Sequence, residues 1–248
     1  MHRFHIPPAR WSLDTPPILD GAEAHHCTEV LRLGPGDRAT LFNGRGSEAT
    51  AQITVATRNR VELKVLQHSS SEPLPCQVIL AQAIPKGKNM DLILQKAVEL
   101  GAAEIIPILS ERTVVQIEGD ELTRKQEKWN GIIIEAAKQC GQNWLPDVRR
   151  PVALKALFET GPPFDLMLIA SLQPDARRFR DVLAEFAAAM PSGTRRILVL
   201  VGPEGDFTPA ELSLAKGHGC SPVSLGPIVL RTETAAFYCL SAISYALF

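Results

Sequence analysis

The 248-residue chain is short of the features that mark several large functional classes. Its five cysteines, Cys27, Cys76, Cys140, Cys220 and Cys239, are odd in number and contain no CxxC pair. That scatter excludes a disulfide framework and predicts reduced thiols, and no His/Cys spacing for a metal is present. No apolar run approaches the roughly 20 residues that span a bilayer, and the first eight residues lack the apolar stretch of a secretory signal. A cytoplasmic protein without membrane contact is therefore expected. Charge of one sign is lacking too: 26 Lys and Arg against 27 Asp and Glu leave a net charge of −1. Whole-molecule electrostatics give no push toward nucleic acid, so any RNA contact must rest on local motifs. Five of the six histidines fall in the first 70 residues, but neutral imidazoles release few counterions. There is no G-x-G-x-x-G after a strand, no G-x-x-x-x-G-K-[ST] and no G-x-S-x-G, which removes dinucleotide, nucleoside-triphosphate and serine-hydrolase signatures.

What is present is ordinary globular material, 45% apolar and 21% charged, in a length suited to two domains. Residues 35 to 67 read as short strands punctuated by Gly34-Pro35-Gly36-Asp37, Asn43-Gly44-Arg45-Gly46 and Arg58-Asn59-Arg60. Asn-Gly between apolar runs signals a hairpin with a type I′ turn. With a short helix at Ala22 to Leu31, this makes a mostly β module able to close as a small barrel. His68 to Pro75 carries linker residues without apolar periodicity, so domains of 1–70 and 74–248 are expected. Beyond the seam, strands at Val78–Ala83, Ile105–Leu109, Leu166–Ala170 and Ile197–Val201 alternate with helices. Those helices are placed at Met90–Leu100, Leu122–Cys140, Asp175–Ala189, from Pro209, and Glu233–Leu247. Continuous apolar strands between helices predict an α/β domain with a buried, largely parallel sheet.

Two segments stand out. In Leu198 to Leu212, Thr208, Pro209 and Glu211 form a capping box at a helix start. That leaves Gly202-Pro203-Glu204-Gly205 unexplained at the carboxyl end of a buried strand, where open α/β sheets bind ligands. In Ser224 to Ala236, Thr232 or Thr234 is expected to cap the last helix, with Glu233 favoured by its N-terminal dipole. Arg231 is the odd member, since a cation there faces an unfavourable field and calls for an anionic partner. If the strands leading into these segments pair, the two outline a pocket. Lys86 and Lys88 flank Gly87 at another strand end, placed to meet phosphates or simply solvated. The apolar stripe Phe237, Leu240, Ile243 and Leu247 on the last helix could face its own sheet or a partner.

Taken together, these motifs resemble the bacterial 16S ribosomal RNA uridine-N3 methyltransferases of the SPOUT superfamily. The likeness runs from Met1-His2-Arg3-Phe4 and Val30-Leu31-Arg32-Leu33…Gly36-Asp37 through Lys86-Gly87, Lys96-Ala97-Val98-Glu99-Leu100-Gly101 and Glu135-Ala136-Ala137-Lys138-Gln139. It ends in Gly202-Pro203-Glu204-Gly205 and Leu230-Arg231-Thr232-Glu233-Thr234-Ala235. The resemblance implies an N-terminal PUA-like, RNA-binding β-barrel and a C-terminal SPOUT-type α/β domain with a trefoil knot, something pattern reading does not offer. It further implies a homodimer and S-adenosylmethionine held by Val201, Gly202, Pro203, Glu204, Gly205, Leu225, Gly226, Leu230, Arg231, Thr232 and Thr234. RNA contacts are expected at Arg3, Arg32, Lys86 and Lys88, the substrate being 16S rRNA in the small ribosomal subunit. For the reaction, Arg231 is expected to stabilise charge on the uracil oxygens, and Glu204 or Glu233 to orient the base or take its proton. Asp206, Ile228 and Gln142 depart from the family pattern, the first replacing a glycine and the others arginines. Two other readings stay open: the same fold acting on another RNA such as tRNA, and an inactive RNA-docking protein that binds the cofactor.

Overall fold

The computed structural model describes residues 1–12, 14–113, 119–159, 163–189 and 194–248. The chain divides into two compact units. One comprises Met1–Pro73 with Ile134–Leu145, the other Leu74–Ile133 with Pro146–Phe248.

The first unit contains β1 (Arg3–His5), β2 (Ile18–Asp20), α1 (Gly21–His25), β3 (Arg38–Phe42), β4 (Ser47–Thr57) and β5 (Arg60–Ser70), with a π turn at His26–Val30 after α1. The strands form one sheet in the order β1-β3-β4-β5-β2, antiparallel except for β1 beside β3. Alternating residues of these strands, Phe4, Leu41, Ala49, Ala51, Ile53, Val61 and Leu63 among them, bury one face with Leu19, Ala24 and Cys27, the period-2 pattern of a half-buried sheet.

Two expectations are corrected here. The Asn43-Gly44 turn is not type I′. Gly44 has φ +73° but Asn43 lies outside the left-handed region, whereas type I′ needs both. Instead the Asn43 side chain accepts from the backbone N–H groups of Arg45 and Ser47 at 2.8 and 3.0 Å, an Asx-type closure of a longer loop. The polar run His68-Ser69-Ser70 is strand rather than linker, because Ser47, Glu48 and Ala49 of β4 pair with it in register. Ladder hydrogen bonds hold it without apolar side chains.

The second unit contains β6 (Cys76–Ala83), α2 (Asn89–Glu99), β7 (Ala102–Leu109), α3 (Gly119–Cys140, passing into the first unit at Ile134), β8 (Asp147–Val148), β9 (Val152–Ala153) and α4 (Leu154–Glu159). These are followed by β10 (Leu166–Ala170), β11 (Arg177–Arg178), α5 (Phe179–Ala189), β12 (Arg195–Val201), α6 (Pro209–Gly217), β13 (Ser221–Ser224) and α7 (Thr232–Leu247). All pairs are parallel, in the order β11-β13-β10-β12-β6-β7-β8, with β9 also on β7. The middles of the central strands are continuous apolar runs because helices cover both faces: Ile197 to Val201 are all buried, as are Val78 to Ala81. The short β8, β9, β11, α4 and β13 escape pattern reading, having too few residues to show a period. The apolar stripe of α7 faces its own unit: Leu240, Ile243 and Leu247 are buried, and the helix packs on α2, α5, β6 and β12.

Candidate functional site

A cavity of about 450 Å³ opens at the carboxyl ends of β10, β12 and β13, the crevice where parallel sheets place ligands. The two segments singled out in the sequence both reach it, though not by the route expected. β12 and β13 do not pair with each other; each pairs with β10, which lies between them. The loops meet because three parallel strands end at one level, so the end of β10 supplies a third wall: Ala170, Ser171 and Leu172. These residues lack a glycine-rich motif, and only the position of β10 in the sheet reveals them.

Of the expected cofactor residues, Val201, Gly202, Pro203, Glu204, Leu225, Gly226, Leu230, Arg231 and Thr232 line the cavity, and Glu233 joins them; Gly205 and Thr234 do not. Gly226 has φ +129°, a region that side chains disfavour and glycine adopts freely. Asp206 also sits in the left-handed region at φ +59°. Its carboxylate accepts the backbone N–H of Phe207 at 2.8 Å, the local bond that lets Asp tolerate such a backbone.

The start of α7 is held from below by a buried polar chain. Arg231, not a threonine, is the N-cap, and no side chain caps the helix. The Thr232 hydroxyl is committed elsewhere: it donates to the Gly202 carbonyl at 2.6 Å and accepts from Gln82 Nε2 at 3.0 Å. Gln82 is fully buried and also donates to the Ala83 carbonyl at 2.8 Å. Three elements, β6, β12 and α7, are thus locked at the cavity floor, a role for Gln82 that its sequence context does not signal. Arg231 is exposed and, among the described residues, makes no ion pair.

Both candidate acids engage the loop after β6. Glu204 Oε1 accepts the backbone N–H of Lys86 at 3.0 Å, and Glu233 Oε2 accepts from Asn89 Nδ2 at 3.3 Å. Asn89 lines the cavity as well. Lys86 and Lys88 are exposed on that loop. Arg32 is exposed in the first unit at φ +55°. Arg3 has internal partners: its guanidinium donates to Glu48 and Asn143 at 2.5 Å each and lies 4.8 Å from the Phe42 ring centroid.

The cavity chemistry favours a cationic ligand with an apolar part. Leu172, Val201, Pro203, Leu225 and Leu230 supply apolar wall, while Glu204, Asp206 and Glu233 set three carboxylates against Arg231. S-adenosylmethionine, with a sulfonium, an ammonium and one carboxylate, fits that balance. Cysteine chemistry has no place here: none of the five thiols lines the cavity, and burial pushes Cys220 and Cys239 up to about 12. Among the described residues no His/Cys/Asp/Glu cluster fits a metal, and no helix is long and apolar enough to cross a membrane.

Similarity to known proteins covers both units of the chain. Residues 72–244 match the family model of an RNA methyltransferase domain, and residues 19–66 that of an RNA methyltransferase PUA domain. Ribosomal RNA small subunit methyltransferase E of Bacillus subtilis is 31% identical over 248 residues, covering 99% of this chain and 96% of that protein. The Synechocystis protein of the same name is 33% identical, over 91% of this chain and 72% of its own length. Among solved structures, a Legionella pneumophila methyltransferase with bound SAM superposes with a TM-score of 0.87 at 35% identity, covering 98% of this chain and 97% of that one. Ribosomal RNA small subunit methyltransferase E from Neisseria gonorrhoeae, bound to S-adenosyl methionine, gives 0.84 at 31%, covering 99% and 97%.

Proposed function

This chain belongs to the ribosomal RNA small subunit methyltransferase E family, and from that membership we propose that it transfers the methyl group of S-adenosylmethionine to N3 of a uridine in 16S rRNA. The observation that carries this reading is the single cavity edge on which Arg231, Glu204 and Glu233 stand around the glycine-rich loop. Gly202, Leu225, Gly226 and Leu230 would hold the cofactor, which supplies an electrophilic methyl on a sulfonium. The chain's own residues then do the rest. Arg231, unpaired by any described carboxylate, presents guanidinium donors to the uracil oxygens, lowering the cost of the charge that builds as N3 loses its proton. Glu204 and Glu233 each have one oxygen tied to the Lys86–Asn89 loop, which leaves the other to receive the proton or orient the base. The base must leave any stack to reach the site.

Within the same reading, residues 1–70 serve as a PUA-like RNA-binding barrel and 74–248 as the catalytic domain. Arg32, Lys86 and Lys88 contact RNA, while Arg3 orders the loop that carries Asn143. A trefoil knot is proposed for the catalytic domain. It is supported by the path after β13, which lies on the far side of β10 and yet leads to α7 packed on β6, β12 and α2. A homodimer is supported by the exposed rings of Tyr238, Tyr245 and Phe248 on and beside α7, and the cytoplasm is the compartment of the substrate.

The test is methyl transfer from labelled S-adenosylmethionine to small ribosomal subunits lacking uridine-N3 methylation, with mass spectrometry locating the product. N3-methyluridine in the subunit RNA is the expected outcome. No incorporation by a protein that still binds the cofactor would overturn the reading.

A further inference from the structure

At the carboxyl end of β7, beside the loop that carries Lys86 and Lys88, the turn Ser110–Thr113 is built with unusual care. Glu211, only 5% exposed, closes the capping box of α6 by accepting the Thr208 N–H at 2.9 Å. The same carboxylate also accepts the Ser110 hydroxyl at 3.1 Å and the Glu111 N–H at 3.0 Å. Within the turn, Ser110 N–H donates to Thr113 Oγ1 at 3.1 Å and Thr113 N–H to the Ser110 carbonyl at 2.8 Å. Burying a carboxylate is costly unless its oxygens are satisfied, and here three donors satisfy it. The product of that investment is a rigid surface turn whose outward cation is Arg112.

Arg112 is exposed, and its Nη1 donates to the carbonyl of Gly205. Gly205 directly follows Glu204 on the loop that forms one wall of the cavity. A carbonyl fixes the guanidinium in place without neutralising it, and among the described residues no carboxylate pairs with Arg112. Among the described residues one of its five N–H donors is engaged, which leaves the rest of the fork to a ligand. β6 and β7 are parallel neighbours, so Lys86, Lys88 and Arg112 stand at the same edge of the sheet, beside the glycine-rich loop. A planar, pre-oriented guanidinium with spare donors matches the bidentate geometry of a phosphodiester.

We propose that Arg112 binds the RNA backbone phosphate flanking the target nucleotide, and through Gly205 aligns that strand with the cofactor loop. The inference rests on the reading of the site as an RNA methyltransferase, and it names a substrate contact that the sequence motifs do not signal.

The experiment is equilibrium binding of the full-length protein to undermethylated small ribosomal subunits over a series of KCl concentrations, with cofactor affinity measured separately by calorimetry. R112A is expected to weaken subunit binding on the order of tenfold near physiological salt and to flatten the slope of log K against log salt by about one. Cofactor affinity should stay within about twofold, and R112K should retain most of the slope because it keeps the charge. An R112A slope equal to that of the unsubstituted protein overturns the proposal, as does a loss of cofactor affinity with the slope intact, since either makes Arg112 a clasp on Gly205 and nothing more. Methyl transfer by the unsubstituted protein tests the enzymatic reading apart from this. A flattened slope in a protein that transfers no methyl would uphold the phosphate contact while removing the reaction, and absence of salt-dependent binding by the unsubstituted protein would sink both.

Discussion

Arg231 occupies the N-cap of α7, where the helix field repels a cation, and no described acid compensates it. A residue kept at such a cost is expected to act on a bound anion. Arg231→Ala should lower kcat by about 10² or more, as for loss of an oxyanion donor, with cofactor affinity changed less than about threefold. Single-turnover kinetics with calorimetry checks this, and near-normal turnover would reject the role. The two acids separate by placement. Glu233 lies in the first turn of α7 and is half-buried, whereas Glu204 stands exposed on the loop after β12, where a carboxylate can pass a proton on to water. Glu204→Gln is therefore expected to depress kcat more than Glu233→Gln does; the reverse order in single-turnover kinetics would exchange their roles.

His5, in the first unit, has its pKa lowered by burial, with a backbone hydrogen bond to Asn43 and the Lys138 charge as smaller effects of opposite sign. The folded imidazole thus resists a proton that the unfolded chain accepts near its usual value of about 6.5. Stability is fully present above that pH and falls as the pH drops below it toward the folded pKa, then levels off. Urea midpoints between pH 5 and 8 are expected to decline on the acid side, and His5→Gln should flatten that decline.

At the level of elements, the start of α7 is positioned less by capping than by Thr232, which bonds to both Gly202 and Gln82. Thr232→Val keeps shape but removes the donor to the half-buried Gly202 carbonyl and one of the two acceptors of the buried Gln82 amide, a cost of about 1–3 kcal/mol. Because it also frees the backbone beside Arg231, kcat is expected to fall along with the urea midpoint, whereas Thr234→Val, at an exposed position, should change neither. Equal behaviour of the two variants would show that the chain beneath the cavity does not position the site. The capping box of α6 was readable in the sequence since its four residues are contiguous and interact locally. The missing cap of α7 was not, because what claims the Thr232 hydroxyl is a strand end 30 residues away.

For the molecule as a whole, the large exposed side chains on and beside α7 set the oligomeric expectation. Tyr245 is 95% exposed and Tyr238 47%, and their spacing along α7 puts both rings on one face of the helix. Sedimentation is expected to give a dimer, and Tyr245→Asp to shift it toward monomer without loss of helical signal. A monomer at micromolar concentration would remove the dimer from the proposal.

The division of labour between sequence and fold follows the range of the forces involved. Apolar runs, helix caps and glycine-bearing loops are local, so the α/β character of residues beyond the seam, the β module before it, and the Gly202–Gly205 and Leu230–Thr234 segments were legible from order alone. The family resemblance added the activity and cofactor. Long-range pairing lay beyond that reach. Only the parallel register placed β10 between β12 and β13 and brought Ser171 and Leu172 to the cavity. Only packing engaged Arg3 internally, extended β5 through His68–Ser70, and set a buried glutamate beneath Arg112. Each of these depends on partners far apart in the chain, and no periodicity records which distant residue a side chain will meet once water is excluded.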